Sequence, residues 1–213
     1  MFLKIISLII LTITLTFAGV YIMNFFVQRN IALLREYNLE PGRVCHHLTL
    51  AAGTACTLLL GAVFPETLVG KILSSFFLYW LWLLWLVDWR YQFIFDDMLL
   101  PLLLGAVLHL FFVPEKLWEN ILAMAAVFII LAALAILGRG ALGGGDVKMM
   151  SVIALWLGPS SVLLSTLIGF MLGGVAALVL LILHRAGRKD FFAFGPFLII
   201  GTLIGWLVQA LTW

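Results

Sequence analysis

The stretch LYWLWLLWLV, residues 78–87, places ten apolar side chains in a row and is followed directly by Asp88. The apolar run begins near residue 71, so its length is close to the roughly 20 residues that a helix needs to cross a bilayer. Similar stretches lie near 5–27, 48–64, 97–113, 119–138, 148–158, 161–183 and 192–212. The sequence therefore predicts an all-α, polytopic integral membrane helical bundle.

The composition supports a membrane protein and excludes a soluble fold. Apolar residues make up 65% of the 213-residue chain and charged residues only 10%, whereas soluble domains average about 45–50% and about 25%. A net charge of +2 is too small for a nucleic-acid-binding surface, so no nucleic-acid partner is predicted. The two cysteines form no CxxC pair, so neither a disulfide framework nor a metal site is predicted.

Eight transmembrane helices are predicted, or seven if residues 148–183 form one bent element. Pro65, Pro114 and Pro159 separate three pairs of neighbouring stretches, where the missing N–H of proline does least damage. The stretch 5–27 is longer than the apolar core of a signal peptide and is predicted to be a retained helix. The whole chain, 1–213, is expected to form a single membrane domain. The pairs Gly169/Gly173 and Gly201/Gly205 have the spacing typical of close helix packing.

The basic residues predict the orientation of these helices. With eight spans, nine of the twelve lysines and arginines fall on one side of the membrane, and such an excess marks the cytoplasmic side. Both chain termini are then expected on the opposite side. The predicted cytoplasmic side carries Arg29, Arg35, Arg43, Arg90, Arg139, Lys148, Arg185, Arg188 and Lys189, and the other side carries Lys4, Lys71 and Lys116.

Four of the ten acidic residues lie at predicted cytoplasmic ends of spans: Asp88, Asp96, Asp97 and Asp146. An ionisable side chain at such a position is a candidate for function, and a carboxylate that simply reaches water from the interface is the alternative. Asp146 follows three consecutive glycines, which disfavour a helix and allow another chain to lie against the backbone. The glycine segment is expected either to present Asp146 to an extended peptide or to be a flexible turn with Asp146 as helix N-cap. It lacks the spacing of a phosphate-binding loop.

Two aspartates that meet would make a water-activating pair. Carboxyl groups about 3 Å apart share one proton, so the pair titrates as a unit. The ionised partner accepts a proton from water while the protonated one polarises a scissile carbonyl. Two predicted spans separate Asp88 from Asp146, so the chain leaves and returns to the same face between them. This topology permits the two residues to meet.

Three stretches resemble the type IV prepilin peptidases, the membrane aspartyl proteases with a GxGD motif. Val87-Asp88-Trp89-Arg90, continuing through Asp96 to Pro101-Leu102-Leu103, is similar to the family pattern I-D-x-R-x-x-x-x-P-D-x-L-T-L-P-L-L. Gly143-Gly144-Gly145-Asp146-Val147-Lys148 resembles G-x-G-D-x-K, and Phe194-Gly195-Pro196-Phe197-Leu198 is similar to F-G-P-F-L. The order and spacing of the motifs agree with the family from about residue 80 to the C-terminus.

The resemblance implies that Asp88 and Asp146 form the catalytic dyad, with Asp96, Gly143, Gly145 and Lys148 in supporting roles. It implies N-terminal spans and a short cytoplasmic loop in 1–70, a peptidase core in 71–213, and an active site facing the cytoplasm at the bacterial inner membrane. The implied substrates are type IV prepilins or type II secretion pseudopilins. The implied partners are membrane lipids and the pilus or secretion assembly machinery.

The resemblance also bears on cofactors. Proteolysis by two aspartates needs none, whereas the family's N-methylation of the new N-terminus implies S-adenosylmethionine. Many members carry two CxxC pairs in a larger N-terminal loop, and this chain has only Cys45 there. Other departures from the family pattern are Phe95, Leu99, Gly140-Ala141 and Ala193.

A second class of function is an ion or solute transporter, in which the four membrane-boundary aspartates line a path. Their clustering at one face leaves no polar relay across the membrane, which counts against it. The cluster Cys45-His46-His47 is predicted to be a membrane-surface feature, and His109 an interfacial or helix-packing histidine. Trp82, Trp85 and Trp89 form one helical stripe beside Asp88, expected either to anchor the helix at the interface or to desolvate Asp88.

Overall fold

A computed structural model describes residues 2–36, 47–63, 67–138, 142–183 and 193–212. Within these ranges the secondary structure is helical, without strands, so the all-α prediction is confirmed. The helices are α1 Phe2–Arg29, α2 Ile31–Glu36, α3 His47–Val63, α4 Leu68–Tyr91, α5 Asp96–Phe112, α6 Leu117–Leu137, α7 Gly144–Leu157, α8 Pro159–Ile182 and α9 Gly195–Thr212, with a 3-10 turn at Pro114–Lys116.

Each of the eight predicted apolar stretches corresponds to one helix, and α2 is an additional short one. The alternative of one bent element over 148–183 is wrong, because α7 ends at Leu157 and α8 begins at Pro159. Between them Gly158 has φ +79°, a left-handed conformation that suits glycine. Within the described ranges, four helices are long and apolar enough to cross a membrane: Leu11–Arg29, Leu68–Tyr91, Pro114–Leu137 and Pro159–Ile182.

The chain divides into two compact units, Met1–Tyr91 and Gln92–Trp213. In the first unit, α3 packs along α4 and α1 packs on α3. A Cβ added at Gly53 would overlap the indole of Trp82, so the absence of a side chain allows the two helices to approach closely. The hydroxyl of Tyr79 donates to the carbonyl of Leu15 at 2.8 Å, which ties α4 to α1.

In the second unit, α7 is the central helix, and α5, α6, α8 and α9 all pack against it. All its side chains from Asp146 to its end are buried except that of Lys148. α8 and α9 form a close pair, because a Cβ at Gly201 would overlap the carbonyl of Ser165 and one at Gly205 would lie 2.8 Å from the carbonyl of Ser161. The predicted glycine packing faces are therefore confirmed.

Candidate functional site

Asp88 lies in the last turn of α4 and its side chain is almost fully buried, with 4% of the residue exposed. An acidic side chain removed from water in this way is unusual, since burial penalises the charged form. Such positions are enriched at functional sites. Asp88 is therefore not a solvated carboxylate at the end of a span.

The tryptophans of α4 form the predicted stripe. The ring centroids of Trp82 and Trp85 lie 4.6 Å apart, and those of Trp85 and Trp89 lie 6.3 Å apart. Trp89 is largely exposed, whereas the indole nitrogens of Trp82 and Trp85 are buried and have no hydrogen-bond partner among the described residues. An exposed indole at a helix end is typical of a residue that anchors a helix at the membrane interface.

Asp146 lies in the first turn of α7, which begins at Gly144. The N-cap position belongs to Gly143, whose backbone is extended, so the prediction of Asp146 as N-cap is wrong. The glycine run is also not a fully open segment, because its last two residues are already helical. Asp146 is 8% exposed, and the positive end of the helix dipole favours a negative charge at this position.

The three glycines of the motif have different surroundings. A Cβ added at Gly143 would lie 3.1 Å from Oδ2 of Asp146, so the carboxylate turns back toward the start of the helix. A Cβ at Gly145 would lie 3.1 Å from Cβ of Ile94 and 3.4 Å from its carbonyl oxygen. A Cβ added at Gly144 would have no neighbouring atom within 4 Å. The first and third glycines therefore make room for specific neighbours, and the middle one does not.

Asp96, the first residue of α5, and Lys148, the fifth residue of α7, form an ion pair. The lysine Nζ donates to Oδ1 of Asp96 at 2.8 Å and to Oδ2 at 2.6 Å. Both side chains are more than half exposed. Sequence reasoning named both residues as supporting but did not pair them, and it did not find Ile94, which has no polar group to mark it.

Together the two contacts join the segment 94–96 to the start of α7. Ile94 lies against Gly145, which precedes Asp146, and Asp96 binds Lys148, which follows Asp146 by two residues. Lys148, one of the predicted supporting residues, has a specific partner in Asp96. The start of α7, which carries Asp146, is thus held by a contact on each side of this residue.

The other candidates named from the sequence are His109 and the cluster Cys45-His46-His47. The ring of His109 stacks on that of Trp156, with centroids 5.2 Å apart and planes 13° from parallel, which confirms a packing histidine. The cluster Cys45-His46-His47 lies outside the described residues, apart from the backbone of His47 at the start of α3. Of the basic residues used to predict orientation, Arg43, Arg139, Arg185, Arg188 and Lys189 also lie outside them.

Comparison with known proteins gives a family match in the same region. The model of the type IV leader peptidase family matches residues 75–178, a range that includes Asp88, Asp96, the glycine motif and Lys148. The third motif, residues 194–198, lies beyond it. No solved structure matches the chain.

Curated relatives carry the same kind of name. The chain is 31% identical over 148 residues to the prepilin leader peptidase/N-methyltransferase of Neisseria gonorrhoeae, covering 67% of this chain and 48% of that protein. It is 32% identical over 131 residues to the protein so named in Dickeya chrysanthemi, covering 59% and 46%. The chain therefore spans about half the length of the curated relatives it matches. The resemblance inferred from the motifs is confirmed.

Proposed function

Because residues 75–178 belong to the type IV leader peptidase family, we propose that the chain is a membrane aspartyl endopeptidase that removes basic leader peptides. Its substrates are type IV prepilins or type II secretion pseudopilins, and cleavage takes place at the cytoplasmic boundary of the inner membrane. Asp88 and Asp146 are the proposed catalytic dyad.

The observation that carries this proposal is the burial of the two proposed dyad residues. Asp88 and Asp146 are 4% and 8% exposed, and each lies in the terminal turn of an apolar helix. Asp96, in contrast, is largely exposed and has its charge balanced by Lys148. The reaction requires two carboxyl groups that are shielded from water and share one proton. These environments favour Asp88 and Asp146 for the chemistry and Asp96 for a supporting role.

In the proposed reaction, the two carboxyl groups hold one proton between them. The ionised carboxylate accepts a proton from a water molecule while the oxygen of that water attacks the scissile carbonyl carbon. The protonated partner donates to the carbonyl oxygen, so no isolated negative charge develops there. Collapse of the tetrahedral intermediate breaks the C–N bond, and the amine leaves with a proton from the dyad. As the carbonyl bond of the new carboxyl group forms, a hydroxyl of the intermediate returns its proton to the other aspartate, so the dyad again holds one proton.

The supporting residues keep Asp146 in position. Gly145 allows the first turn of α7 to lie against Ile94. The exposed Asp96–Lys148 pair connects the residue just after this turn to α5. Gly143 leaves room for the carboxylate of Asp146. Preorganisation of a catalytic group by its neighbours lowers the free-energy barrier by avoiding reorientation during the reaction.

N-methylation of the new N-terminus, with S-adenosylmethionine as methyl donor, is a separate expectation. An adenosyl group is usually held by an aromatic ring that stacks on the base and a carboxylate that binds the ribose hydroxyls. Among the described residues, a cavity lined by Glu119 has no aromatic ring, and a cavity lined by Phe76, Tyr79 and Trp80 has no carboxylate. No described residues are therefore assigned to this group, and no step through it is derived.

The transporter alternative gains no support from the described residues. An ion path needs carboxylates that meet the ion along a continuous route. Asp96 is instead engaged by Lys148, and the pair is open to solvent at one end of the second unit. The endopeptidase therefore stays the better proposal.

Cleavage of a prepilin by the purified full chain in detergent tests the proposed function. The substrate has a short basic leader, a glycine before the cut and a hydrophobic helix, and mass spectrometry identifies the new N-terminus. We expect Asp88→Asn and Asp146→Asn each to reduce the cleavage rate by a factor of about 10⁴ or more, because an amide cannot exchange the proton. Asp97→Asn, a neighbouring acid outside the proposed dyad, is the matched control and should cleave at the wild-type rate.

Two results would contradict the proposal. Near-normal cleavage by either dyad variant would remove that residue from the dyad. If the wild-type chain, shown to be folded by its circular dichroism spectrum, cleaves no substrate in detergent or in lipid bilayers, the endopeptidase proposal is wrong. Isotope-labelled S-adenosylmethionine added to the same reactions tests methylation separately.

A further inference from the structure

A polar cavity lies at the end of α7 remote from Asp146. It has a volume of about 370 Å³ and lies among the C-terminus of α7, the first turns of α6 and α8, and the last turns of α9. Along α7, the eleven residue-to-residue steps from Asp146 to Leu157 span about 16 Å at 1.5 Å per residue. The cavity is therefore distinct from the proposed dyad and lies entirely within the second unit.

The side chains around the cavity carry both signs of charge. Its polar lining consists of one cation, one anion, two amides and two hydroxyls, from Lys116, Glu119, Asn120, Ser160, Ser161 and Gln209. Two leucines, two glycines, a proline and a valine supply the rest. Lys116 and Glu119 are three residues apart at the start of α6, so they point to the same side of the helix. A ligand that fits this lining has a negative and a positive group close together.

The wall of the cavity is rigidly built. The Nδ2 of Asn120 donates to the carbonyl of Leu155 at 2.9 Å, and Asn120 is only 2% exposed. Gly158, with φ +79°, leaves space for the Asn120 amide, since a Cβ there would lie 2.6 Å from its Oδ1. The cavity is thus a defined feature of the α6–α7–α8 packing and not a gap between loosely placed loops.

The position of the cavity corresponds to the headgroup level of a membrane. Two helices long enough to cross a bilayer, Pro114–Leu137 and Pro159–Ile182, both begin there. Trp118, in the first turn of α6, is largely exposed, and tryptophan is enriched where the hydrocarbon core meets the headgroups. One turn further along, Leu122 and Leu163 are exposed on the outer surfaces of α6 and α8. A polar cavity is therefore continuous with surfaces suited to acyl chains.

From these observations we infer that the cavity binds the headgroup of a phospholipid that carries a phosphate and a primary ammonium group, as in phosphatidylethanolamine. Lys116 and the hydroxyl of Ser160 bind the phosphate. Glu119 accepts hydrogen bonds from the ammonium group, and the exposed leucines contact the acyl chains. A quaternary ammonium has no N–H to donate, and a glycerol headgroup has no positive charge, so the same cavity discriminates against both.

Lipid binding to the purified full chain, measured by native mass spectrometry, tests this inference. The probes are the dioleoyl forms of phosphatidylethanolamine, phosphatidylcholine and phosphatidylglycerol. For the wild-type chain we expect a Kd for phosphatidylethanolamine about 10-fold lower than for the other two. Glu119→Gln should abolish this preference, and Lys116→Gln should weaken the binding of all three lipids. Lys116→Arg should retain binding, which separates loss of the phosphate contact from misfolding.

Glu36→Gln is the matched control, because Glu36 is an exposed acid of the first unit that does not line the cavity. Equal Kd values for the three lipids in the wild-type chain, or a preference that survives Glu119→Gln, would overturn the inference. Displacement of the lipid by soluble phosphoethanolamine at equal concentration would show that the ligand is a soluble molecule and would overturn the lipid assignment. None of these measurements depends on peptidase activity, so the inference stands or fails separately from the proposed function.

Discussion

Lys148 binds both carboxylate oxygens of Asp96, at 2.8 Å and 2.6 Å, and so links the N-terminal part of α7 to the first residue of α5. Lys148 comes two residues after Asp146, the proposed catalytic residue of the glycine motif. The pair is exposed, so its contribution to the free energy of unfolding is small. Its importance lies in the position of the helix turn that carries Asp146.

Lys148→Met should separate stability from catalysis. Because both partners are more than half exposed, we expect the free energy of unfolding to fall by about 1 kcal/mol or less. We expect prepilin cleavage to slow by about 10- to 100-fold, since small displacements of a catalytic group are costly. The double variant Asp96→Lys with Lys148→Asp reverses the pair and should recover part of the rate. A double variant no faster than Lys148→Met would contradict the positioning role.

Gly145→Ala and Gly144→Ala form a matched pair in the glycine motif. An alanine methyl at 145 would lie 3.1 Å from Cβ of Ile94, so Ile94 must move by a few tenths of an ångström, and we expect a loss of about 1–3 kcal/mol in unfolding free energy together with slower cleavage. At 144 the methyl meets nothing within 4 Å, so stability should stay the same or rise by less than about 1 kcal/mol. Thermal unfolding of the two variants in detergent measures the difference, and equal melting temperatures would argue against the Ile94 contact.

Gly158→Ala should destabilise the junction of α7 and α8. The left-handed backbone at φ +79° and the amide of Asn120 both oppose a side chain, and we expect a cost of about 1–3 kcal/mol. Gly174→Ala is the control, because this glycine lies within α8 with open space around it and gains helix propensity from the change. If Gly158→Ala unfolds at the same temperature as the control, the junction does not have the conformation described here.

The rate of cleavage should follow a bell-shaped curve against pH. At low pH both carboxyl groups of the dyad are protonated and no base is left to activate water. At high pH both are ionised and no proton is left for the carbonyl oxygen. Because the pair titrates as a unit, each limb of the curve belongs to the dyad and not to one residue. A rate that stays flat across the acidic range while the protein remains folded would exclude a shared proton.

Much of the helical architecture was predictable from local sequence. In a bilayer every backbone hydrogen bond must be made within the segment, so an apolar stretch of sufficient length is a helix whatever its neighbours are. This is why all eight predicted stretches, including the pair separated at Pro159, correspond to helices. The glycine pairs of α8 and α9 were also predictable, because their spacing places them on one face. The region of the family match could be anticipated from its motifs, since these keep their order along the chain.

The detailed arrangement of the candidate site depended on tertiary structure. Nothing in the spacing of Asp96 and Lys148 pairs them across α5 and α7, and nothing in the apolar side chain of Ile94 marks it as the neighbour of Gly145. The run of three glycines predicted an open segment, yet two of them are helical, because contacts with α5 and the segment before it outweigh their low intrinsic propensity. The polar cavity likewise combines side chains from three distant stretches. Sequence alone determines which segments are helices, because that choice depends on local hydrogen bonding and hydrophobicity, whereas packing decides which side chains share a site.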